Sequence, residues 1–189
     1  MTPTLLIVIA STRPGRVGLP VGRWFESYAH AHGAFEVHVA DLLELDLPFM
    51  DEPNHPRLGQ YTHQHTKDWS ATVNAADAFV FVMPEYNYSL TAPLKNAIDF
   101  LHNEWQYKPV GFVSYGGVSG GTRAVQMVKQ VVTTLKLTPL PEAVTIPFVA
   151  QFIDDEGDFA PNETIEQSAK SMLDELVRVG GALAGLRGA

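Results

Sequence analysis

The segment TLLIVIASTRPGRVG, residues 4–18, sets the expectation for the architecture of the whole chain. It joins an uninterrupted aliphatic run, Leu5 to Ala10, to a loop of small, basic and turn-forming residues. A short apolar run rich in β-branched residues that stops at such a loop is typical of a buried strand. The segment therefore predicts a first strand and a loop, with a helix expected from about Leu19 to His32.

Four more strand-like runs follow, and most of them are nearly continuous in Val, Ile, Phe and Leu. Such runs indicate strands covered on both faces, as in a parallel sheet. The runs are Phe35 to Ala40, Ala78 to Met83, Val110 to Tyr115 and Ala143 to Val149. Between them, apolar residues return at helical spacing in segments 94–101, 124–135 and 165–176, and more weakly in 64–75. Alternating strands and helices predict a doubly wound α/β fold.

Length and composition limit the class of protein. A chain of 189 residues is expected to form one domain, here residues 1–189. Apolar residues make up 46% of the chain and charged residues 18%, which excludes a disordered chain. The net charge of −8 argues against nucleic-acid partners and anionic membrane surfaces. The lack of cysteine excludes disulfides, thiolate catalysis and cysteine-ligated metal centres.

The first residues do not have the pattern of a targeting signal. No basic residue precedes the apolar run, which ends at Ala10. The run is also much shorter than the roughly 20 apolar residues that a membrane-spanning helix needs. We therefore expect a cytoplasmic protein without a membrane partner.

Three loops are the candidates for a ligand site, because ligands of open α/β sheets bind beyond the carboxyl ends of the strands. The first loop contains Ser11, Thr12, Arg13 and Arg16 beside the start of a helix. Backbone N–H groups and guanidinium groups in this arrangement suit a phosphate; an ordinary turn with two surface arginines is the alternative. Neither GxGxxG nor GxxxxGK[ST] occurs, so a dinucleotide fingerprint and a P-loop have no support.

The second loop begins with PEYNYSLTAP at residue 84, directly after the third strand-like run. Its two tyrosines offer flat surfaces for an aromatic ring, and its asparagine offers an amide for a polar edge. Ser89 or Thr91 is expected to cap the next helix, with Pro93 in the first turn. The alternative is a polar turn with two exposed tyrosines.

The third loop, SYGGVSGGTR from residue 114, has four glycines in six residues. Glycine accepts positive φ and lets the backbone approach a ligand closely. A flexible hinge without a ligand is the alternative. The loop therefore completes a candidate site without defining its ligand.

Together, the three loops resemble the NADPH-dependent FMN reductase family. The matching patterns are STRPGR after the first run, PEYNxSxxxxLKNAID after the third and SxGGxxGG after the fourth. The similarity covers roughly residues 5–149, and the PEYN block is the most specific part. It implies a flavodoxin-like three-layer α/β/α sandwich with a five-stranded parallel sheet in the order 2-1-3-4-5.

The resemblance also implies FMN as the cofactor and NADPH or NADH as the hydride donor, with a small acceptor such as free flavin or a quinone. Members are usually homodimers or homotetramers, and a neighbouring subunit commonly completes the flavin site. The implied residues are Ser11, Arg13, Arg16, Val17 and Gly18 at the FMN phosphate, and Pro84, Glu85, Tyr86, Asn87, Ser114, Tyr115, Gly116 and Gly117 at the ring.

Two residues depart from the family pattern. Arg16 stands where many members have a second serine, so a charge replaces a hydroxyl near the phosphate. Tyr88 stands where many members have glycine after PEYN. A phenol there is expected to narrow the mouth above the flavin or to reach across a subunit interface.

A flavodoxin-type electron carrier and a non-catalytic flavin-binding subunit are the alternative functions, because a fold does not imply a function. Two arginines in the first loop and the PEYN block favour the reductase. No catalytic side chain is assigned, because the flavin performs the chemistry. No metal site is expected either: the histidines at 30 and 32, and at 63 and 65, lack the i, i+4 spacing of chelating pairs on a helix.

Overall fold

A sheet of five parallel strands runs through the centre of the computed structural model, which describes residues 2–187. The strands are β1 (Thr4–Ile9), β2 (Glu36–Asp41), β3 (Ala78–Pro84), β4 (Pro109–Tyr115) and β5 (Thr138–Ile146). Their order in the sheet is β2-β1-β3-β4-β5. The predicted fold class and strand order are therefore confirmed.

Helices cover both faces of this sheet. They are α1 (Gly18–His32), α2 (Leu42–Leu45), α3 (Gln64–Ala75), α4 (Ala92–Asp99), α5 (Thr122–Thr134) and α6 (Glu163–Leu183). Short 3₁₀ turns lie at Pro56–Leu58, Asn103–Trp105, Val149–Phe152 and Ala184–Leu186. One buried apolar cluster packs α1 and α6 on the sheet, and a second packs α3, α4 and α5 on its other face. Within residues 2–187, no helix combines the length and the apolar character needed to cross a membrane.

Burial explains the apolar runs in the sequence. Every residue of β3 and β4 is buried, which accounts for their nearly continuous apolar composition. By contrast, β2 lies at one edge of the sheet and is largely exposed, and it carries more polar residues. The apolar pattern thus distinguishes the central strands from this edge strand.

The last strand differs from its prediction. The sequence placed it at Ala143 to Val149, whereas β5 spans Thr138–Ile146. The predicted start was wrong because Pro139 and Pro141 argue against a strand. Since β5 lies at the edge of the sheet, one of its sides has no ladder partner, and proline is tolerated there.

The topology opens a crevice at the carboxyl edge of the sheet. The strand order reverses at β1, which lies between β2 and β3. The chain leaves β1 towards α1 on one face and leaves β3 towards α4 on the other. Chain paths that diverge in this way leave a cleft beyond the strand ends, where doubly wound proteins bind ligands.

Candidate functional site

The three loops identified in the sequence meet at this carboxyl edge. They follow β1, β3 and β4, which are neighbours in the sheet. Thr91 Oγ1, near the end of the second loop, donates to the Ala10 carbonyl over 2.8 Å and so links the second loop to the end of β1. The Glu85 N–H donates to the Tyr115 carbonyl over 3.3 Å and so links the second loop to the third. The fold therefore brings the sequence-predicted residues of all three loops to one side of the molecule.

Thr91 also caps helix α4. Its side chain accepts a hydrogen bond from the Leu94 N–H at 3.3 Å, and Pro93 lies in the first turn. The sequence left Ser89 and Thr91 as alternative caps, and the structure selects Thr91. Because the same hydroxyl donates to Ala10, the start of α4 is fixed relative to the first loop.

Arg16 is held by Asp41, the last residue of β2. Its Nη1 and Nη2 atoms each donate to one carboxylate oxygen at 2.5 Å, and Nη1 also donates to the Ser11 carbonyl at 2.6 Å. The hydrogen bond to Asp41 raises the pKa of the Arg16 guanidinium. These contacts use three of its five N–H groups and balance its charge. A phosphate contact by Arg16 stays a prediction, while Arg13 is exposed at the turn.

The start of α1 is built around two buried hydroxyl groups. A Cβ atom on Gly18 would lie 2.1 Å from Ser11 Oγ and 2.2 Å from Tyr115 Oη, so only glycine fits. Ser11 and Tyr115 are 1% and 2% exposed. Among the described residues, neither hydroxyl makes a hydrogen bond of good geometry, although the two are neighbours and Ser11 acts, against the larger effect of burial, to lower the pKa of Tyr115. Buried polar groups are rarely left unpaired, so this pair indicates a place for a ligand.

The same corner offers further donors to an anion. In the part of the chain that the structure describes, no side chain caps the amino end of α1, so its first N–H groups remain available. Burial raises the pKa of Tyr115, which keeps its hydroxyl protonated and able to donate. Hydroxyls, free amides and the charge of Arg13 form a donor set that fits the phosphate of FMN.

Two side chains contribute to this corner that the sequence did not assign to it. The resemblance implied that Tyr115 lies beside the flavin ring, and this contact stays a prediction; in the structure its hydroxyl lies at Gly18, next to the first loop. Asp41 was not identified at all. Its signal was weak: a lone carboxylate at the end of a strand-like run, 25 residues from Arg16.

The second loop contains a tight hairpin turn. Tyr86 and Ser89 exchange two backbone hydrogen bonds of 3.0 and 2.9 Å. Between them, Asn87 and Tyr88 have φ angles of +50° and +68°. Two consecutive residues with positive φ inside such a pair are typical of a type I′ turn. The turn leaves both tyrosine side chains exposed.

The third loop packs closely on the sheet. Gly120 and Gly121 have φ angles of +57° and +85°, and a Cβ on Gly121 would lie 2.9 Å from Ser114 Cβ. A Cβ on Gly117, by contrast, would meet no atom within 4 Å. The loop is therefore anchored on one side and open on the other, and a ligand contact on the open side stays a prediction. The Ser114 hydroxyl is also buried, and within the described residues it has no hydrogen-bond partner.

The histidines of segment 63–65 do not follow the geometry expected of a helix. Their rings stack with centroids 5.2 Å apart and planes 7° apart, because His63 precedes α3 and is free of helical geometry. Both rings face Asp51, at 4.0 Å from His63 and 3.0 Å from His65. Even so, residues 2–187 contain no group of three side chains arranged to hold a metal ion.

Comparison with known families gives a match over most of the chain. The model of the NADPH-dependent FMN reductase family matches residues 3–151. This segment contains all three loops of the candidate site. It also contains all five strands of the sheet.

Individual relatives carry related descriptions. An NAD(P)H-dependent FMN reductase of Schizosaccharomyces pombe is 39% identical over 151 residues, which covers 78% of this chain and 75% of the relative. An NADPH:quinone oxidoreductase of Arabidopsis thaliana is 36% identical over 104 residues, or 52% of this chain and 53% of the relative. The structure of a flavoenzyme NAD(P)H:(acceptor) oxidoreductase of Paracoccus denitrificans superposes with a TM-score of 0.75 at 21% identity and covers 95% of this chain and 98% of that one. This last similarity supports the fold.

Proposed function

Because the chain belongs to the NADPH-dependent FMN reductase family, we propose that it is an FMN-dependent NAD(P)H oxidoreductase with a small-molecule acceptor. The observation that carries the proposal is the corner at the start of α1. Two buried, unpaired hydroxyls and the uncapped amides of a helix converge there, at the crevice of a doubly wound sheet. Such a donor set suits a phosphate ester.

The side chains of the three loops bind and orient, and the flavin carries the redox chemistry. When bound, FMN takes up a hydride and passes on one or two electrons. Ser11, Tyr115, Arg13 and the first amides of α1 would hold the phosphate. In the net reaction with a quinone, NAD(P)H loses a hydride, and the quinone gains this hydride and one proton from solvent to become a hydroquinone.

The donor and the acceptor are proposed to use the same opening in turn. The sequence has no dinucleotide fingerprint that would hold NAD(P)H in a separate domain. Double-reciprocal plots of initial rate against NAD(P)H concentration, recorded at several acceptor concentrations, should therefore give parallel lines. Intersecting lines would indicate a ternary complex and contradict this order. Free flavins and quinones are the proposed acceptors, since relatives are described as reductases of these compounds.

The visible absorption spectrum of protein-bound flavin tests the proposal. The purified protein is mixed with FMN, desalted and placed under anaerobic conditions, and the visible spectrum is recorded before and after addition of NADPH. We expect the flavin band to elute with the protein and then to bleach. A retained flavin that neither NADPH nor NADH reduces would favour an electron carrier. If no flavin is retained and excess free FMN is not reduced, the proposal is wrong.

We also propose that two copies of the chain pair through segment 42–58. Phe49 is 84% exposed there, and Leu43 and Leu58 are exposed as well. A groove of about 480 Å³ is lined mainly by apolar side chains, Phe49 among them, and also by Asp46, Asn96 and Thr12 of the first loop. A phenyl ring beside an apolar groove can serve both sides of a symmetric interface. A partner seated there would border the candidate site.

Phe49→Asp is expected to convert the proposed dimer into a monomer, because a carboxylate cannot be buried in an apolar groove without large cost. Size-exclusion chromatography with light scattering measures the mass. Val177→Asp on α6 is the matched control and should leave the mass unchanged, since Val177 is exposed on the opposite face of the sheet. A monomeric wild-type chain would contradict the proposal.

The cytoplasmic location stays a prediction.

A further inference from the structure

Glu85, Arg123 and Tyr88 connect the second loop to the start of α5. Arg123 Nε donates to Glu85 Oε1 over 2.6 Å, and the guanidinium lies 3.9 Å from the centre of the Tyr88 ring. Glu85 Oε2 also accepts from the Ser119 hydroxyl at 3.0 Å and from the Arg123 N–H at 3.2 Å. We call these three side chains the 85–123–88 latch.

The latch holds its arginine in one orientation. The Glu85 side chain is only 7% exposed, so solvent screens its bond to Arg123 less than it screens a surface ion pair. A planar guanidinium fixed in this way presents a flat face to the phenol. Stacking of a guanidinium on an aromatic ring is favourable at this distance. The Tyr88 ring is therefore restrained although 64% of the residue is exposed.

The type I′ turn of the second loop gives Tyr88 a left-handed backbone. Its φ of +68° lies in the left-handed region, which residues with a Cβ atom adopt only at a cost. Glycine would adopt the same conformation without strain. The turn therefore presents a phenol at a position where glycine would cost less.

The position of the latch relates it to the candidate site. The second loop follows β3, and α5 follows the third loop, so the latch spans the two loops proposed to border the flavin ring. Tyr88 belongs to the second loop and stacks on Arg123 of α5, so its ring bridges the two. Because stacking on Arg123 favours one orientation of the Tyr88 ring, an incoming planar molecule meets the face or edge of this ring at a defined place.

We propose that Tyr88, positioned by Arg123 and Glu85, is a specificity-determining residue that limits the width of the acceptor. Quinones with one ring fit past the Tyr88 side chain, whereas quinones with three fused rings are sterically hindered by it. The inference rests on the proposed function, because it concerns the acceptor step of that reaction.

The test compares kcat/KM for 1,4-benzoquinone and for 9,10-phenanthrenequinone, with NADPH as donor. We define the acceptor ratio as kcat/KM for 9,10-phenanthrenequinone divided by kcat/KM for 1,4-benzoquinone. In Tyr88→Gly, this ratio should be about tenfold higher than in the wild type. In Arg123→Ala it should rise less, because the ring is released but not removed. Titration of flavin fluorescence gives the FMN dissociation constant of each variant, so that changes in flavin binding are measured separately.

Tyr107 provides a matched control. It also has a left-handed backbone, with φ +58°, and its ring lies 5.0 Å from Lys136 Nζ. It differs in location, because it precedes β4 and so lies at the amino edge of the sheet. Tyr107→Gly removes the same side chain from the same conformation and should keep the wild-type ratio.

Two results would overturn the inference. If Tyr88→Gly retains a flavin that NADPH reduces but shows the wild-type acceptor ratio, the inference alone is wrong. If the wild type neither retains nor reduces FMN, the proposed function and the inference fall together. Should Tyr88→Gly not fold, Tyr88→Asn replaces it, because asparagine tolerates the left-handed region.

Discussion

Arg13 and Arg16 lie three residues apart in the first loop but have different surroundings. Arg16 is paired with Asp41, whereas Arg13 is exposed. We expect Arg13→Ala to weaken FMN binding at least tenfold, which corresponds to the loss of one charge-assisted hydrogen bond of about 1.5–3 kcal/mol. Riboflavin binding should not change, because riboflavin has no phosphate. Fluorescence titration of both flavins at one salt concentration measures the two dissociation constants.

Arg23→Ala is the control for this prediction. Arg23 is an exposed arginine on α1, so its removal changes the net charge by the same amount. It should leave the binding of both flavins unchanged. Equal losses for FMN and riboflavin in Arg13→Ala would contradict the phosphate assignment.

The sequence could predict which loops form the site but not which side chains within them remain free. The motifs place Arg16 at the phosphate, yet its partner Asp41 is 25 residues away and belongs to another strand. The partner of Arg123 is 38 residues away. Such pairs arise from the tertiary fold, and no spacing within a motif reveals them.

At the scale of elements, helix α3 is held at both ends by charged side chains from outside it. At the amino end, Glu52 accepts from the N–H groups of Thr62 and His63 at 2.7 and 3.0 Å. At the carboxyl end, Lys108 Nζ donates to the carbonyls of residues 73 and 74 at 2.9 and 3.1 Å. Burial lowers the pKa of Lys108 to about 8. Both charges match the helix dipole.

Glu52→Gln is expected to destabilise the chain by about 1 kcal/mol at neutral pH, because a charged acceptor is lost. Burial raises the pKa of Glu52, but hydrogen bonds to the carboxylate, led by that from the Thr62 N–H, outweigh this effect and lower the pKa from 4.5 to about 2. The lowered pKa means that this stabilisation is complete above pH 4.5 and disappears as the pH falls towards 2. Urea unfolding of both proteins across this range measures the difference.

Glu156→Gln is the control for Glu52→Gln. Glu156 is an exposed carboxylate in an acidic turn, and its replacement should change the free energy of unfolding little at any pH. A Glu52→Gln difference that stays constant down to pH 2 would contradict the role of the Glu52 charge.

The central elements could be predicted because burial leaves a strong pattern in the sequence. β3 and β4 are buried at every position, and both were identified within one residue at each end. The position of β5 was predicted less accurately. Its prolines are compatible with a strand only at a sheet edge, and the sequence alone does not indicate which strand lies at the edge.

At the scale of the whole molecule, the two apolar clusters share one sheet. Its strands contribute alternate residues to both clusters. We therefore propose that the chain is one domain and unfolds in a single cooperative transition. Tryptophan fluorescence reports on the α1 side through Trp24 and on the α3 side through Trp69 and Trp105. It should give one transition with the same urea midpoint as far-ultraviolet circular dichroism. Two separate midpoints would indicate that the layers unfold independently.

The Arg16–Asp41 pair also determines how the candidate site responds to salt. Dissolved ions screen exposed charges over about 10 Å at 0.1 M, but they screen buried pairs much less. The two side chains are only 9% and 7% exposed, so the first loop keeps its shape as ionic strength rises. Added salt then acts mainly on Arg13, while the amides of α1 and the two hydroxyls carry no net charge to screen. Flavin retention should therefore decline only gradually as salt is added.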